Sequence, residues 1–415
     1  MGLETIAYPF IFLALYFESF LLVTFFSSPA RSRRAKGPAT DLAVDTPKVA
    51  IIVPCWNEES TVAGTVESLL ALEYPADKLS LILVNDGSTD GTASAIDRYA
   101  EHPQITALHK PNGGKFTAMN YGLEHIADAE FVGFLDADSF VAPDALREII
   151  PSFNAPDVAA VTASMSIHEP KTLFQRLQYA EYAQAITLRH VFGSINGLYV
   201  TPGPFSFYRL SVLKELGPFK HAYLAEDMEM AMRIQRAGLK IGNALRARVY
   251  TKGPPTARKL IKQRIRWTTG FMRNIFFDYR DLIWSKQNVV LGFFVLPLGI
   301  VAIGGSIIVF SLYIFQTIKS FAHSLSIMSA APLSYALTVH PISWFYFPLT
   351  VPLLIGITMT ALTATWMAVG KYTSNTPGRL LPNLPAYFLF YTFVAPIWII
   401  RSVSHVVRGA RTTWR

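Results

Sequence analysis

The chain has 415 residues, 51% of them hydrophobic and 16% charged, with a formal charge of +8 and a single cysteine, Cys55. So low a charge content excludes an ordinary fully soluble protein, and long uncharged runs carry the surplus apolar residues. One cysteine excludes an internal disulfide and any multi-cysteine metal site, while the positive balance suits acidic lipid and phosphate-bearing substrates.

The first predicted element is an apolar run from Ile6 to Phe26, broken only by Glu18 and long enough to cross a bilayer, so residues 1–30 are assigned to a membrane helix. Arg31, Arg33, Arg34 and Lys36 follow it, and Glu4 is the only charged side chain before it. The positive-inside rule then places the N-terminus outside and residues 45–252 in the cytoplasm.

Within 45–252 the rhythm becomes that of an α/β domain. Val49–Val53, Leu81–Val84 and Phe131–Leu135 are short continuous apolar runs, as in strands buried on both faces. Helical stretches separate them at Ser60–Leu72, Thr92–Ala100, Lys115–Ile126 and Pro143–Ile150, with Thr92 expected to cap the second. This alternation predicts a mainly parallel sheet with helices on both faces and ligands bound beyond the carboxyl ends of its strands. Asn57-Glu58, Asp86 and Asp136-Ala137-Asp138 sit at those ends.

Each polar motif has a chemical reading. Asp136 and Asp138 bring two carboxylates to one loop, suited to a divalent cation that neutralises a departing diphosphate. Asp86 can accept hydrogen bonds from a base or ribose, and Gly87 lets backbone approach closely. Gly113-Gly114-Lys115 opens a helix with free amides and a cation for phosphate, without the spacing of a Walker loop. Glu226-Asp227 heads an amphipathic helix that Gly238 should stop. As a general base, Asp227 would deprotonate an attacking hydroxyl, and direct displacement with one base inverts the anomeric configuration.

Residues 253–285 are basic, aromatic and amphipathic, the pattern of helices lying in a membrane interface. They carry Gln263-Arg264-Ile265-Arg266-Trp267. Trp267 offers a face for stacking sugar, and Arg266 a fork for diphosphate oxygens. In residues 286–415, long apolar segments lie at about 289–318, 341–369 and 384–400. Three crossings would leave the C-terminus outside, whereas Arg401, Arg408, Arg411 and Arg415 argue for inside, so a re-entrant or interfacial segment is expected around Leu380–Pro396.

In this order the motifs resemble the membrane-embedded, inverting family 2 glycosyltransferases that include cellulose, chitin, hyaluronan and poly-N-acetylglucosamine synthases. The family pattern D, D-x-D, [T/G]-E-D and Q-x-x-R-W stands here as Asp86, Asp136–Asp138, Ala225–Asp227 and Gln263–Trp267. The resemblance implies a GT-A fold, Mg²⁺ or Mn²⁺ at Asp136 and Asp138, and Asp227 as base with Glu226 beside it. It implies a UDP-sugar held by Asn57, Glu58, Asp86, Lys115, Asp136, Asp138, Gln263, Arg266 and Trp267. It also implies acceptor contacts at Gly203, Pro204 and Trp267. Ala225 departs from the pattern, and no F-x-V-T-x-K loop follows Trp267.

The function expected is elongation and translocation of a β-linked polysaccharide from UDP-N-acetylglucosamine or UDP-glucose, at the cell membrane and with membrane lipids as neighbours. The alternative is transfer of one sugar to a lipid or polyprenyl phosphate. A catalytically dead sensor of nucleotide sugars is a third reading, which the intact carboxylates oppose. Nucleic acid is not an expected partner, because the basic residues cluster beside an apolar segment.

Overall fold

The computed structural model describes residues 4–27, 46–330 and 351–409. The basic cluster at 31–36, the first part of the 341–369 segment, and Arg411 and Arg415 lie outside the described residues. An apolar helix, α1 (Glu4–Ser27), leads into strands and helices in alternation. These are β1 (Val49–Cys55), α2 (Val62–Leu70), β2 (Leu79–Asp86), α3 (Thr92–Asp97), β3 (Ile105–Lys110), α4 (Lys115–Glu124) and β4 (Phe131–Phe134). The order then loosens through β5 (Ser139–Val141), α5 (Ala145–Ile149), β6 (Val158–Ile167) and the long α6 (Leu173–Ser194). Next come β7 (Ser206–Arg209), α7 (Leu210–Leu216), α8 (Glu226–Arg236), β8 (Lys240–Thr251) and α9 (Ala257–Arg273). Three further helices follow: α10 (Leu296–Ala330), α11 (Val351–Thr373) and α12 (Thr392–Val407).

The strands form one eight-stranded sheet in the order β3-β2-β1-β4-β7-β6-β8-β5. β1 to β4 pair in parallel, as βαβ units must. β7 is antiparallel to both β4 and β6, β8 runs parallel to β6, and β5 closes the edge antiparallel to β8. Successive residues of β1 point to opposite faces and seed two cores. Val49, Ile51 and Val53 meet Val62, Val66 and Leu69 of α2 on one face, while Ile52 meets Ala118 and Met119 of α4 on the other.

Two local expectations change. The helices are shorter than their apolar runs, and Thr92 is the first residue of α3, not its cap; Asp90 Oδ1 accepts from the Thr92 amide at 3.0 Å instead. Thr92 Oγ1 accepts instead from the Glu58 amide at 2.8 Å. Gly238 does end α8, in the left-handed region at φ +75°.

Among the described residues three helices are long and apolar enough to cross a membrane, at Tyr8–Ser27, Val290–Ile327 and Leu353–Thr373. The third apolar segment forms a bent pair, Leu381–Tyr391 and Phe393–Val407, with 49° between its arms. α11 runs antiparallel to α6. Tyr179 Oη donates to the Pro377 carbonyl at 2.6 Å and Thr187 Oγ1 to the Trp366 carbonyl at 2.9 Å. Between them, a Cβ on Gly370 would overlap the Ala183 carbonyl oxygen. α6 therefore ties the α/β domain to the apolar helices.

Candidate active site

The chemistry-bearing groups gather past the carboxyl ends of β1, β2 and β4. After β1, Asn57 adopts φ +55° and its side-chain oxygen accepts from the Thr89 amide at 2.8 Å, stapling this turn to the one after β2. The Glu58 carboxylate accepts from Thr61 Oγ1 at 2.8 Å. Asp86, only 2% exposed, accepts from Lys110 Nζ at 2.6 Å, Gly113 N at 3.0 Å, Gly114 N at 2.8 Å and Asn112 Nδ2 at 3.3 Å. The amides of Gly113 and Gly114 were expected to be free for phosphate. They are instead engaged by Asp86, because the loop after β3 folds back over the end of β2. Gly87 permits this: at φ +63°, a Cβ there would stand 2.6 Å from the Asn112 amide nitrogen.

Lys115, the first residue of α4, turns toward the acids. Its ammonium pairs with Asp136 and lies 3.7 Å from Glu226 Oε1. Burial works against that charge, but Asp136 and Glu226 outweigh it and push the Lys115 pKa up. Asp138 accepts from Ser139 Oγ at 3.1 Å. Burial, reinforced by Asp136 and Glu58, pushes its carboxyl up to about 7. Gly203 closes the group from the loop before β7. A Cβ there would come within 2.7 Å of Lys115 Nζ and 3.2 Å of Asp136 Oδ2. Pro204 follows in the same loop, and Phe205 is held at φ +60°.

Asp227 sits in the first turn of α8, where the Met228 amide donates to Oδ1 at 2.8 Å. Thr201 Oγ1 donates to its backbone carbonyl at 2.8 Å and itself accepts from Tyr208 Oη at 2.8 Å. Burial and then Glu226 push the Asp227 carboxyl up to about 6, against the opposing pull of Lys115 and Arg266. The approach to this turn is strained. Ala222, Tyr223 and Leu224 take φ values of +39°, +57° and +64° in succession. α9 supports it, because Gly270 packs on Ala225 so closely that a Cβ would lie 2.6 Å from the alanine methyl. The Arg273 guanidinium also stands 4.9 Å from the centre of the Tyr223 ring.

The structure thus brings together Lys115, Asp136, Asp138, Gly203, Glu226 and Asp227, with Arg266 close enough to act on Asp227. Trp267 is half-buried against the core beside Tyr182, with the Arg264 guanidinium 4.3 Å from its ring centre. Gln263 Oε1 is buried without a hydrogen-bond partner among the described residues. Lys110, Asn112, Thr201 and Tyr208 hold this site, and the sequence carries no signal for them, since only the fold brings each to its partner.

Among the described residues, no group of three or more His, Cys, Asp or Glu forms a ready metal site. Asp136 and Asp138 nonetheless fit a hard divalent cation. One or two carboxylates completed by substrate phosphates are the usual share of the protein for Mg²⁺. Burial is the main cause of the raised Asp138 pKa, and the negative charge of Asp136 and Glu58 that adds to it is what such a cation would relieve.

Residues 47–270 match the family described as Glycosyltransferase like family 2. A poly-beta-1,6-N-acetyl-D-glucosamine synthase of Staphylococcus epidermidis is 30% identical over 245 residues, which is 58% of this chain and 58% of that protein. The synthase of the same name from Staphylococcus aureus (strain COL) is 28% identical over 287 residues, 68% of each chain. The chain thus spans little more than half the length of the first of these relatives. Among solved structures, a mannosyltransferase from Pyrobaculum calidifontis in complex with GDP-Man and Mn²⁺ shares the fold. It aligns with a TM-score of 0.61 and 22% identity, over 98% of this chain and 99% of that one. With its mostly parallel sheet, its flanking helices and this match across more than half its length, the protein belongs to glycosyltransferase family 2 and has a GT-A-type fold.

Proposed function

We propose that the protein is an inverting glycosyltransferase that elongates a β-linked polysaccharide from a UDP-sugar. The observation that carries this reading is the convergence of Lys115, Asp136, Gly203, Glu226 and Asp227 in one partly buried site, with Arg266 of α9 acting on Asp227. UDP-N-acetylglucosamine is the favoured donor, because the relatives at 28–30% identity are synthases of a poly-N-acetylglucosamine.

In this mechanism Asp227 takes the proton of the acceptor hydroxyl as its oxygen bonds to the anomeric carbon. The bond from that carbon to the diphosphate breaks, UDP departs, and an α-linked donor becomes a β-linked product. A carboxylate lifted to about 6 is ionised near neutral pH yet basic enough to accept a proton. Asp136 and Asp138 would hold Mg²⁺ or Mn²⁺, which supplies Lewis-acid neutralisation of the diphosphate when bound. Lys115 orients the Asp136 carboxylate, Gly203 and Pro204 leave room for the acceptor, and Trp267 offers its face to the acceptor sugar. Asn57, Glu58, Asp86, Gln263 and Arg266 line the donor side.

Residues 45–252 form the catalytic unit on the cytoplasmic side, 253–285 the interface helices, and 1–30 with 286–415 the multi-pass membrane portion through which the polymer leaves. The bent pair at 381–407 is read as re-entrant. Its first arm meets α6 where Tyr387 Oη donates to Gln184, and its second meets α9 where Ser402 Oγ lies 3.4 Å from the Ile265 carbonyl. One arm touches a helix of the catalytic unit and the other an interface helix, which supports reading Arg401 and Arg408 as cytoplasmic.

The test is synthesis by purified protein from labelled UDP-sugars, with UDP release measured first and product length second. Recovery of singly glycosylated product alone, with every plausible donor supplied, would overturn chain elongation. The second reading, transfer of one sugar to a lipid or polyprenyl phosphate, is favoured by one observation. Only three helices, or four with the bent pair, are long and apolar enough to cross a membrane among the described residues.

A further inference from the structure

Arg264 occupies a spacer position inside Gln263–Trp267, where the motif itself asks for no particular residue. On α9 it lies one turn before Trp267, so the two side chains share a face. The Arg264 side chain is 6% exposed, and its Nη2 donates to Glu181 Oε2 at 2.6 Å. The same guanidinium stands 4.3 Å from the centre of the Trp267 ring and 6.0 Å from that of Tyr182. Glu181 and Tyr182 belong to α6, the helix that Tyr179 and Thr187 bolt to α11. A planar cation gripped by a carboxylate on one helix and facing an indole on another removes freedom from the ring. The orientation of Trp267 is thereby fixed from α6, across the gap between the two helices.

We infer that Arg264 and Glu181 are positioning residues that hold Trp267 in the plane in which it receives the acceptor sugar. This rests on the reading of Trp267 as the acceptor platform. A lysine at 264 keeps the charge but cannot present a planar guanidinium to Glu181 and to the ring at once. The pair acts on transfer to the acceptor and not on cleavage of the donor, because the Arg264 guanidinium reaches Glu181, Trp267 and Tyr182 and not Asp227 or the strand-end acids.

The test uses the purified full-length protein with the donor that supports UDP release and an oligosaccharide acceptor. Total UDP released and sugar incorporated are measured separately for Glu181→Gln, Arg264→Lys, Trp267→Ala and the double variant Glu181→Gln with Trp267→Ala, alongside melting temperatures. Glu181→Gln and Arg264→Lys are expected to raise the ratio of UDP released to sugar incorporated by about 10-fold and to shorten the product. In the Trp267→Ala background, Glu181→Gln is expected to change that ratio no further, because the residue it acts through is gone. A ratio unmoved by Glu181→Gln and Arg264→Lys while Trp267→Ala raises it overturns the clamp alone. So does a lowered melting temperature with an unchanged ratio, or an equal effect of Glu181→Gln in both backgrounds. A Trp267→Ala protein that transfers like the wild type overturns the reading of the tryptophan, and the clamp with it.

Discussion

The strand-end side of the site and its α9 side are built by different means. At the strand ends each acid stands at or a few residues past the end of a strand and is fixed by neighbours there: Asp86, the last residue of β2, by Lys110, Asn112, Gly113 and Gly114, and Asp138, between β4 and β5, by Ser139. On α9, positions are set by partners distant in sequence, with Gly270 against Ala225 and Arg264 against Glu181, 83 residues away. Strand-end groups are therefore placed by the sheet before the chain reaches the apolar helices, whereas α9 is placed by docking. Changes at the strand ends and at Asp227 should remove chemistry or local stability; changes on α9 should loosen the docking.

The largest effect expected is from Asp227→Asn, which should lower turnover about 1,000-fold, measured as UDP release, with donor binding retained. Unchanged turnover would remove the base from this site. Asp86→Ala removes the carboxylate partner of the largely covered Lys110 and leaves the Gly113 and Gly114 amides without their acceptor. It should cost about 3–5 kcal/mol in a denaturant titration, and a negligible cost would mean that the Asp86 network does not anchor the strand-end side. Gly270→Val should cost about 1–3 kcal/mol by forcing α9 away from Ala225, and Ala225→Gly in the same chain should recover part of it. Full activity and stability in Gly270→Val would break the contrast, because α9 would then not be held by close packing.

Two pH effects are smaller. Asp227 must be ionised to act as base, so kcat/KM should fall as pH drops through about 6, and Lys115→Met should move that midpoint upward because Lys115 favours the ionised form. Asp138 is held up to about 7, above the value of about 3.9 for an unfolded aspartate, so the unfolded chain gives up its proton first. Without a cation, the contribution of Asp138 to stability is greatest at low pH and declines as pH rises between those values. Mn²⁺ or Mg²⁺ should therefore raise the melting temperature more at about pH 8 than at about pH 5. Equal increments at both would mean that Asp138 is not where the cation relieves charge.

The α/β half was legible because continuous apolar runs and the acids that end them are local signals. Asp136–Asp138 and Glu226–Asp227 follow directly from where β4 stops and α8 starts. The antiparallel insertion of β7 between β4 and β6 was not legible, since strand order depends on long connections. Nor was the engagement of the Gly113 and Gly114 amides by Asp86, which needs the loop after β3 to fold over β2. Thr201 and Tyr208 belong to the same class: an ordinary threonine and tyrosine become supports for Asp227 only in three dimensions. Arg264 read as one more cation in a basic helix, and its pairing with Glu181 is set entirely by the approach of α6 to α9.

The three left-handed residues Ala222, Tyr223 and Leu224 bear on the biogenesis of the protein. Such a backbone costs about 1–3 kcal/mol per residue and persists only where its surroundings insist on it. Here Gly270 and Arg273 of α9 supply part of that insistence. A nascent chain that has emerged only as far as β8 has the sheet and the strand-end acids but not the brace that seats Glu226 and Asp227. The ribosome must deliver α9 before the turn is supported. Assembly of that turn thus waits on α9, and a chain cut before it would keep the sheet without a braced Glu226 and Asp227.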